Sequence, residues 1–246
     1  MSAAIRPPGS PAVPGARNRL LSALAVLAPD DAEWLERQLE PAEFESGEVL
    51  ALAGTSFTQV YFPESAVVSV VSRMADGGAV EVGTVGNEGM ASVSSFLDGG
   101  ASACDTFVQI PGTIRCAPAA AVVDALDTRP AIRRLLNRYT QAYLTQVAQT
   151  AACNRLHAIE ARCARWLLMT HDRVGQAEHF PLKQEFLALM LGVRRAGVTV
   201  AMGTLQAANV LRYTRGRITV LDRPRLEEAS CRCYHITRTQ LARLLG

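Results

Sequence analysis

Apolar positions change their period several times along the chain, and each change predicts a different kind of element. Between residues 20 and 39, Leu20, Leu21, Leu24 and Leu27, then Trp34, Leu35 and Leu39, recur at helical spacing. Pro29-Asp30-Asp31 between them supplies a break and a cap, so two short helices are predicted. From residue 42 to about 114 the texture becomes short β-branched and aromatic runs at 60–62, 67–71, 80–85 and 106–110. They are separated by turn signals at Ser46-Gly47, Ala53-Gly54, Asp76-Gly77-Gly78, Gly86-Asn87, Asp98-Gly99-Gly100 and Pro111-Gly112, the pattern of a compact antiparallel sandwich or barrel. A short helix over 118–126 follows, and Pro130 opens a longer one. Its apolar positions Ile132, Leu135, Leu136, Tyr139, Tyr143 and Val147 give way to small Ala148, Ala151 and Ala152. A helix of about 25 residues is nearly 40 Å long, more than its short neighbours can cover, so it is expected to pack against a copy of itself. Leu136, Tyr139, Tyr143 and Val147 are the expected seam. One more helix is predicted over 157–171, its Arg162–Trp166 spacing suited to a cation–π contact.

Residues 180–222 carry the most specific pattern. Pro181 suits the first turn of a helix ending near Leu191, Gly192 a sharp turn, and a second helix runs over 194–208. Two short strands, 210–213 and 217–221, joined by Thr214-Arg215-Gly216, make a hairpin behind them. This is a winged helix-turn-helix. The start of its second helix enters the major groove of double-stranded DNA, which places Arg194 and Arg195 against guanine edges and Val198 and Thr199 against thymine methyls. Arg212, Arg215 and Arg217 on the wing, with Lys183 and Gln184 at the first helix, would meet phosphates.

Charge supports this reading. Up to residue 130 the chain has 7 Arg and no Lys against 16 acidic residues, a net −9; from 131 onward 18 basic residues face 7 acids, a net +11. Such asymmetry points to a polyanionic partner for the second part. Lys183 is the single lysine, so the positive charge is almost all guanidinium, suited to bidentate contact with phosphate or guanine. The 246 residues are 49% hydrophobic and 20% charged, too apolar for a disordered chain, and no run approaches the roughly 18 apolar residues of a membrane span. Residues 1–19, with Pro7, Pro8, Pro11 and Pro14 and no apolar core, read as a disordered tail and not a signal peptide, so a cytoplasmic protein without membrane contact is expected. Six irregularly spaced cysteines are expected as free thiols in a reducing compartment.

The chain resembles the Crp/Fnr family of bacterial transcription regulators over nearly all of residues 20–246. The resemblance is carried by Cys153-Asn-Arg-Leu-His157, Arg162-Cys-Ala-Arg-Trp-Leu-Leu168, Gln184-Glu-Phe-Leu-Ala188, Gly192-Val-Arg-Arg195 and Cys231-Arg-Cys-Tyr234. In the first part, Phe44-Glu-Ser-Gly-Glu48 and Gly86-Asn-Glu-Gly-Met90 fall where that family has roll turns and a phosphate-binding cassette. The resemblance implies an α+β chain: an antiparallel β-roll sensor (a double-stranded β-helix, cyclic-nucleotide-binding-like) over 20–130, a dimerisation helix over 131–154 and a winged helix-turn-helix over 155–246. It further implies a homodimer on a two-fold DNA site, RNA polymerase as a partner, and a small-molecule effector of unknown identity in a pocket near Gly86, Glu88, Gly89, Met90, Cys104 and Asp105.

Within that pattern the cyclic-nucleotide chemistry is missing. The family's phosphate-binding arginine and the Ser or Thr after it correspond here to Cys104 and Asp105, an acid where an anion needs a cation, so cyclic AMP is not expected. Only Cys104 and Cys116 lie in the sensor, too few thiolates for an iron–sulfur cluster, and the first histidine is His157, so the roll can build neither a histidine-ligated haem nor a cupin-type metal site. Cys153 and His157 stand four apart on one helical face, while Cys231, Cys233 and His235 would share one face of a strand. Three soft ligands could bind zinc or sense oxidants, but no fourth is evident from spacing, so buried small side chains beside a surface histidine, with no metal or cofactor, is the reading taken. No Walker-A loop, dinucleotide fingerprint, nucleophile elbow or zincin helix is present, so no catalytic residue and no enzyme are expected. A small-molecule or cysteine-based redox sensor acting through a protein partner is the alternative.

Overall fold

The computed structural model describes residues 17–97 and 100–245; the tail reading for residues 1–16 and the turn at Asp98-Gly99 lie outside them. Helices α1 (Arg19–Leu27) and α2 (Pro29–Glu36) precede strands β1 (Glu40–Phe44), β2 (Val49–Ala51), β3 (Gln59–Pro63), β4 (Val67–Arg73) and β5 (Ala79–Val85). After the single turn α3 (Ser94–Leu97) come β6 (Asp105–Ile110), β7 (Gly112–Pro118), α4 (Ala119–Thr128), the long α5 (Pro130–Leu156) and α6 (Ile159–Arg173). The rest is β8 (His179–Pro181), α7 (Gln184–Leu191), α8 (Arg195–Ala207), β9 (Leu211–Thr214), β10 (Arg217–Val220), α9 (Arg223–Ala229) and α10 (Cys233–Leu245).

Local chemistry explains the first elements. Asn18, expected in the tail, is instead the buried N-cap of α1: its Oδ1 accepts from the Leu20 and Leu21 amides and its Nδ2 donates to the Pro63 and Gly89 carbonyls, both at 2.8 Å. One side chain thus ends a helix and ties it to two roll segments. Pro29 opens α2, and Asp30 and Asp31 fill its first turn, where the helix dipole favours acids.

The roll is two antiparallel sheets, β1-β7-β3 and β2-β6-β4-β5. Phe57, Tyr61, Val68, Val85, Val108 and Ile114 fill the space between them. The faces of β4 explain why its four valines, Val67, Val68, Val70 and Val71, do not alternate with polar residues. Val68 points into the roll, whereas Val67 and Val71 join Trp166, Leu167, Phe180, Leu187 and Met202 in one core with the C-terminal helices. A strand covered on both faces has no polar alternation to show.

The long helix departs from expectation in the same way. Leu136 and Tyr139 are buried in the chain's own core with Leu20, Leu24, Met90 and Leu244, and Tyr143 stacks on Tyr139 against the roll. These three are therefore not a seam between copies: β5, α1 and α10 cover the stripe. α10 packs along α5, where Arg138 donates to the Arg243 and Leu244 carbonyls at 3.2 and 3.3 Å. Val147 is half-exposed, and Asn137, Gln141, Leu144, Ala148, Ala151, Ala152 and Arg155 form the outward face.

Candidate nucleic-acid interface and sensor pocket

α7 and α8 cross at 108°, within the range of a helix-turn-helix. Gly192 makes the turn at φ +61°, the left-handed region where glycine carries no steric cost. α7 begins at Gln184 with Lys183 as its N-cap; Pro181, expected in the first turn, ends β8 instead, which adds a third strand to the wing in the order β8-β10-β9. The hairpin turn holds Arg215 at φ +50° and Gly216 at φ +76°.

Lys183, Arg194, Arg195, Thr199, Arg212, Arg215 and Arg217 are exposed and Gln184 is half-buried. Thr199 Oγ1 donates to Gln184 Oε1 at 3.2 Å, so the start of α7 and the outer face of α8 meet. Arg195 pairs with Glu185 at 2.8 Å and Arg217 Nη1 lies 3.4 Å from His179 Nε2. Val198 corrects the expected base contacts. It is fully buried and, with Ala201, Met202 and Leu205, forms the inward stripe of α8. The outward face is Arg195, Ala196, Thr199, Val200 and Gly203, and Val200, 62% exposed, is the apolar side chain on it where Val198 had been expected. The 198-201-202-205 spacing already contained this phase.

The expected effector pocket is divided between different partners. Gly86, Glu88, Gly89 and Met90 surround the chain's own side chains. A β-carbon on Gly86 would strike Arg173, and one on Gly89 would strike the Tyr139 ring. Tyr139 donates its hydroxyl to the Met90 carbonyl at 3.0 Å. Arg173, from the last turn of α6, is buried and pairs with Glu88 at 2.6 Å. It also donates to the Met169 and Thr84 carbonyls and to Gln146 Oε1, at 2.9, 3.0 and 3.0 Å. Asp105 accepts from the Ala53 amide at 2.9 Å and is bonded to Arg73; these contacts hold its carboxyl below the usual range. Cys104 is half-buried, and burial beside Asp105 raises its thiol. A cleft of about 360 Å³ touches Glu88, but it lies outside the roll between Asn87, Arg173, Tyr234 and Arg238.

A second buried acid joins the roll to the C-terminal helices. Glu81 accepts from Trp166 Nε1 at 2.8 Å, Thr84 Oγ1 at 2.7 Å and Ser69 Oγ at 2.6 Å, and burial raises its pKa. Ser69 Oγ also lies 2.8 Å from Gln109 Oε1. Ser69 has one hydroxyl proton, so it serves one of these two acceptors at a time. Trp166 thus takes Glu81 as partner, while Arg162 reaches the Leu191 carbonyl at the end of α7.

Sequence and structure comparisons agree with this geometry. The model of the Crp-like helix-turn-helix domain matches residues 161–229. The chain has the Crp/Fnr regulator fold and carries a Crp-like helix-turn-helix domain. FixK2 from Bradyrhizobium japonicum superposes with TM-score 0.68 at 16% identity, covering 78% of this chain and 98% of that one. A Crp/Fnr-family regulator from Eubacterium rectale gives 0.63 at 15% over 81% and 93%. The c-di-GMP-responsive regulator CLP from Xanthomonas campestris gives 0.63 at 13% over 78% and 98%. No curated protein sequence matches the chain. Among the described residues no single helix is long and apolar enough to cross a membrane.

The cysteine reading also needs correction. Residues 231–235 are not a strand: Cys233 opens α10. Cys231 and Cys233 come together with Cys153 and His157, while exposed His235 packs its ring on Tyr234.

Proposed function

We propose that this chain is a cytoplasmic DNA-binding transcription regulator that acts as a homodimer on a two-fold promoter site and communicates with RNA polymerase. The observation that carries the reading is that Arg194 and Arg195 at the start of α8, Lys183 at α7, and Arg212, Arg215 and Arg217 on the wing of one helix-turn-helix are all exposed. A guanidinium pair entering the major groove reads guanine, and the wing arginines neutralise phosphates. The dimer seam is the outward face of α5, centred on Leu144, 54% exposed, and continued by Ala148, Ala151 and Ala152, whose small side chains let two helices approach.

The effector is not cyclic AMP. With Arg173 and Tyr139 filling the cassette and Asp105 already paired with Arg73, a cyclic phosphate there meets, among the described residues, cations that are already paired. A neutral or hydroxylated molecule reaching Glu88 from the outer cleft fits the chemistry better.

Binding to fragments from the organism's promoters, titrated with salt, tests the DNA reading. A slope of log K against log[salt] corresponding to several phosphate contacts and a preferred sequence are expected; affinity without sequence preference or salt dependence would overturn it. Leu144→Glu should give a folded monomer by sedimentation, and an intact dimer would move the seam elsewhere.

A further inference from the structure

We propose that Cys153, His157, Cys231 and Cys233 form a tetrahedral Cys3His site for a single zinc ion, which clamps the C-terminal helix to the hinge between the long helix and the winged domain. Their four ligand atoms lie within 4.8 Å of one another. Cys153 Sγ is 3.4 Å from Cys231 Sγ, and Cys233 Sγ is 3.5 Å from His157 Nδ1. Zinc at about 2.3 Å from sulfur and 2.0–2.1 Å from nitrogen sets the edges of a tetrahedron at about 3.5–3.8 Å. Small side-chain adjustments around a common centre therefore complete the site.

Two short sequence units supply the ligands. Cys153 and His157 are separated by one helical turn at the end of α5, where the His157 amide still bonds to the Cys153 carbonyl at 3.1 Å. Cys231 and Cys233 flank the start of α10. The three sulfurs are buried and the imidazole sits at the rim, as in a closed structural site.

The surroundings suit a metal thiolate. Three thiolates and one Zn²⁺ leave a net charge of −1. Arg165 acts electrostatically on Cys153, and Arg162 on Cys153 and Cys231. Each arginine has a buried Nε with no hydrogen-bond partner, an arrangement that a nearby anionic centre offsets and neutral thiols do not. Gln149 Nε2 donates to Cys233 Sγ at 3.1 Å, the kind of outer-shell bond that orients a metal-bound sulfur. A disulfide between Cys153 and Cys231 would use two of the four groups and leave Cys233 and His157 beside it without a role.

The site joins residues 78 positions apart in sequence. It pins the start of α10 to the junction of α5 and α6, and α6 carries Arg173 to the roll. The metal thus fixes the angle at which the winged domain leaves the long helix.

Full-length protein purified under reducing conditions without chelators, then analysed for metals, should contain about one zinc per chain. Cobalt(II) titrated into the stripped wild type should produce the intense d–d bands of tetrahedral coordination and sulfur-to-cobalt charge transfer. Zinc should displace both. Cys231→Ser should abolish stoichiometric zinc, His157→Ala should release it to a chelator faster, and Gln149→Leu should weaken it by about 10–100-fold. Cys104→Ser and Cys116→Ser, away from the site, should retain it. Wild type that takes up neither metal, octahedral cobalt spectra, iron–sulfur absorbance or full zinc in the Cys153→Ser, Cys231→Ser double variant would each overturn the proposal. The cobalt titration uses the native chain, so the test does not depend on any variant folding.

Discussion

Arginine serves opposite ends in two regions of this molecule. On α8 and the wing, Arg194, Arg195, Arg212, Arg215 and Arg217 keep their charge in water. The contacts of Arg195 with Glu185 and of Arg217 with His179 lie at the surface, where such pairs are worth about 0–1 kcal/mol and exchange easily. At the seam between roll and winged domain, Arg173 is 6% exposed and bonded to Glu88, Thr84, Met169 and Gln146. Its desolvation is offset only while all those partners stay in place. A hydrated guanidinium remains available to a foreign anion, whereas a buried one is committed to the fold. Mutation should therefore separate the two regions: stability should respond at the seam and DNA affinity at the surface.

The largest effect is expected at Arg173. Arg173→Met leaves Glu88 buried without its cation and should cost about 3–5 kcal/mol in urea denaturation. Adding Glu88→Gln should recover part of that loss, and strict additivity of the two changes would mean that the pair is not the link between roll and α6. Arg195→Ala should leave the denaturation midpoint unchanged, yet cost about 1–3 kcal/mol on a specific DNA site and relax preference at one base pair in each half-site. Unaltered specificity would show that α8 docks in another orientation.

Glu81 sharpens the comparison from the acid side through pH. Burial raises its pKa in the fold, so the native state binds its proton more tightly than the unfolded chain does. Its contribution is fully present below the ordinary glutamate range and is lost as pH rises through the raised value. Glu81→Gln keeps an acceptor for Trp166 and removes the titrating proton. It should flatten this part of the stability–pH curve, and an unchanged curve would mean that Glu81 does not titrate between the two states. Smallest of all, Arg215→Ala on the wing should weaken every DNA sequence alike and reduce the salt slope by about one unit.

Much of this was legible before any coordinates. The break at Pro29, the left-handed Gly192, the wing turn at Arg215-Gly216 and the paired Arg194 and Arg195 are local signals with local causes, and each falls where the pattern puts it, although the cap expected of Asp30 and Asp31 is not made: they lie inside the first turn behind Ala28. Val198 was a phase error that its own helix could have corrected. Val67, Val68, Val70 and Val71, on both sides of one strand, likewise signalled a strand covered on both faces. Arg173 carries no comparable signal: nothing in its sequence neighbourhood marks it as buried.

What the sequence alone determined is therefore the inventory of elements and the side of each that must leave water, because helical and strand periods are properties of adjacent residues. Only the tertiary structure decided what covers those sides. Tyr139 and Tyr143 meet the chain's own roll, although the same stripe would suit a second copy, since burial free energy does not depend on which molecule excludes the water. Likewise Glu88 meets Arg173 across 85 residues and Cys153 meets Cys231 across 78. Contacts at such separations come from the path of the chain in space, which spacing along the sequence does not encode.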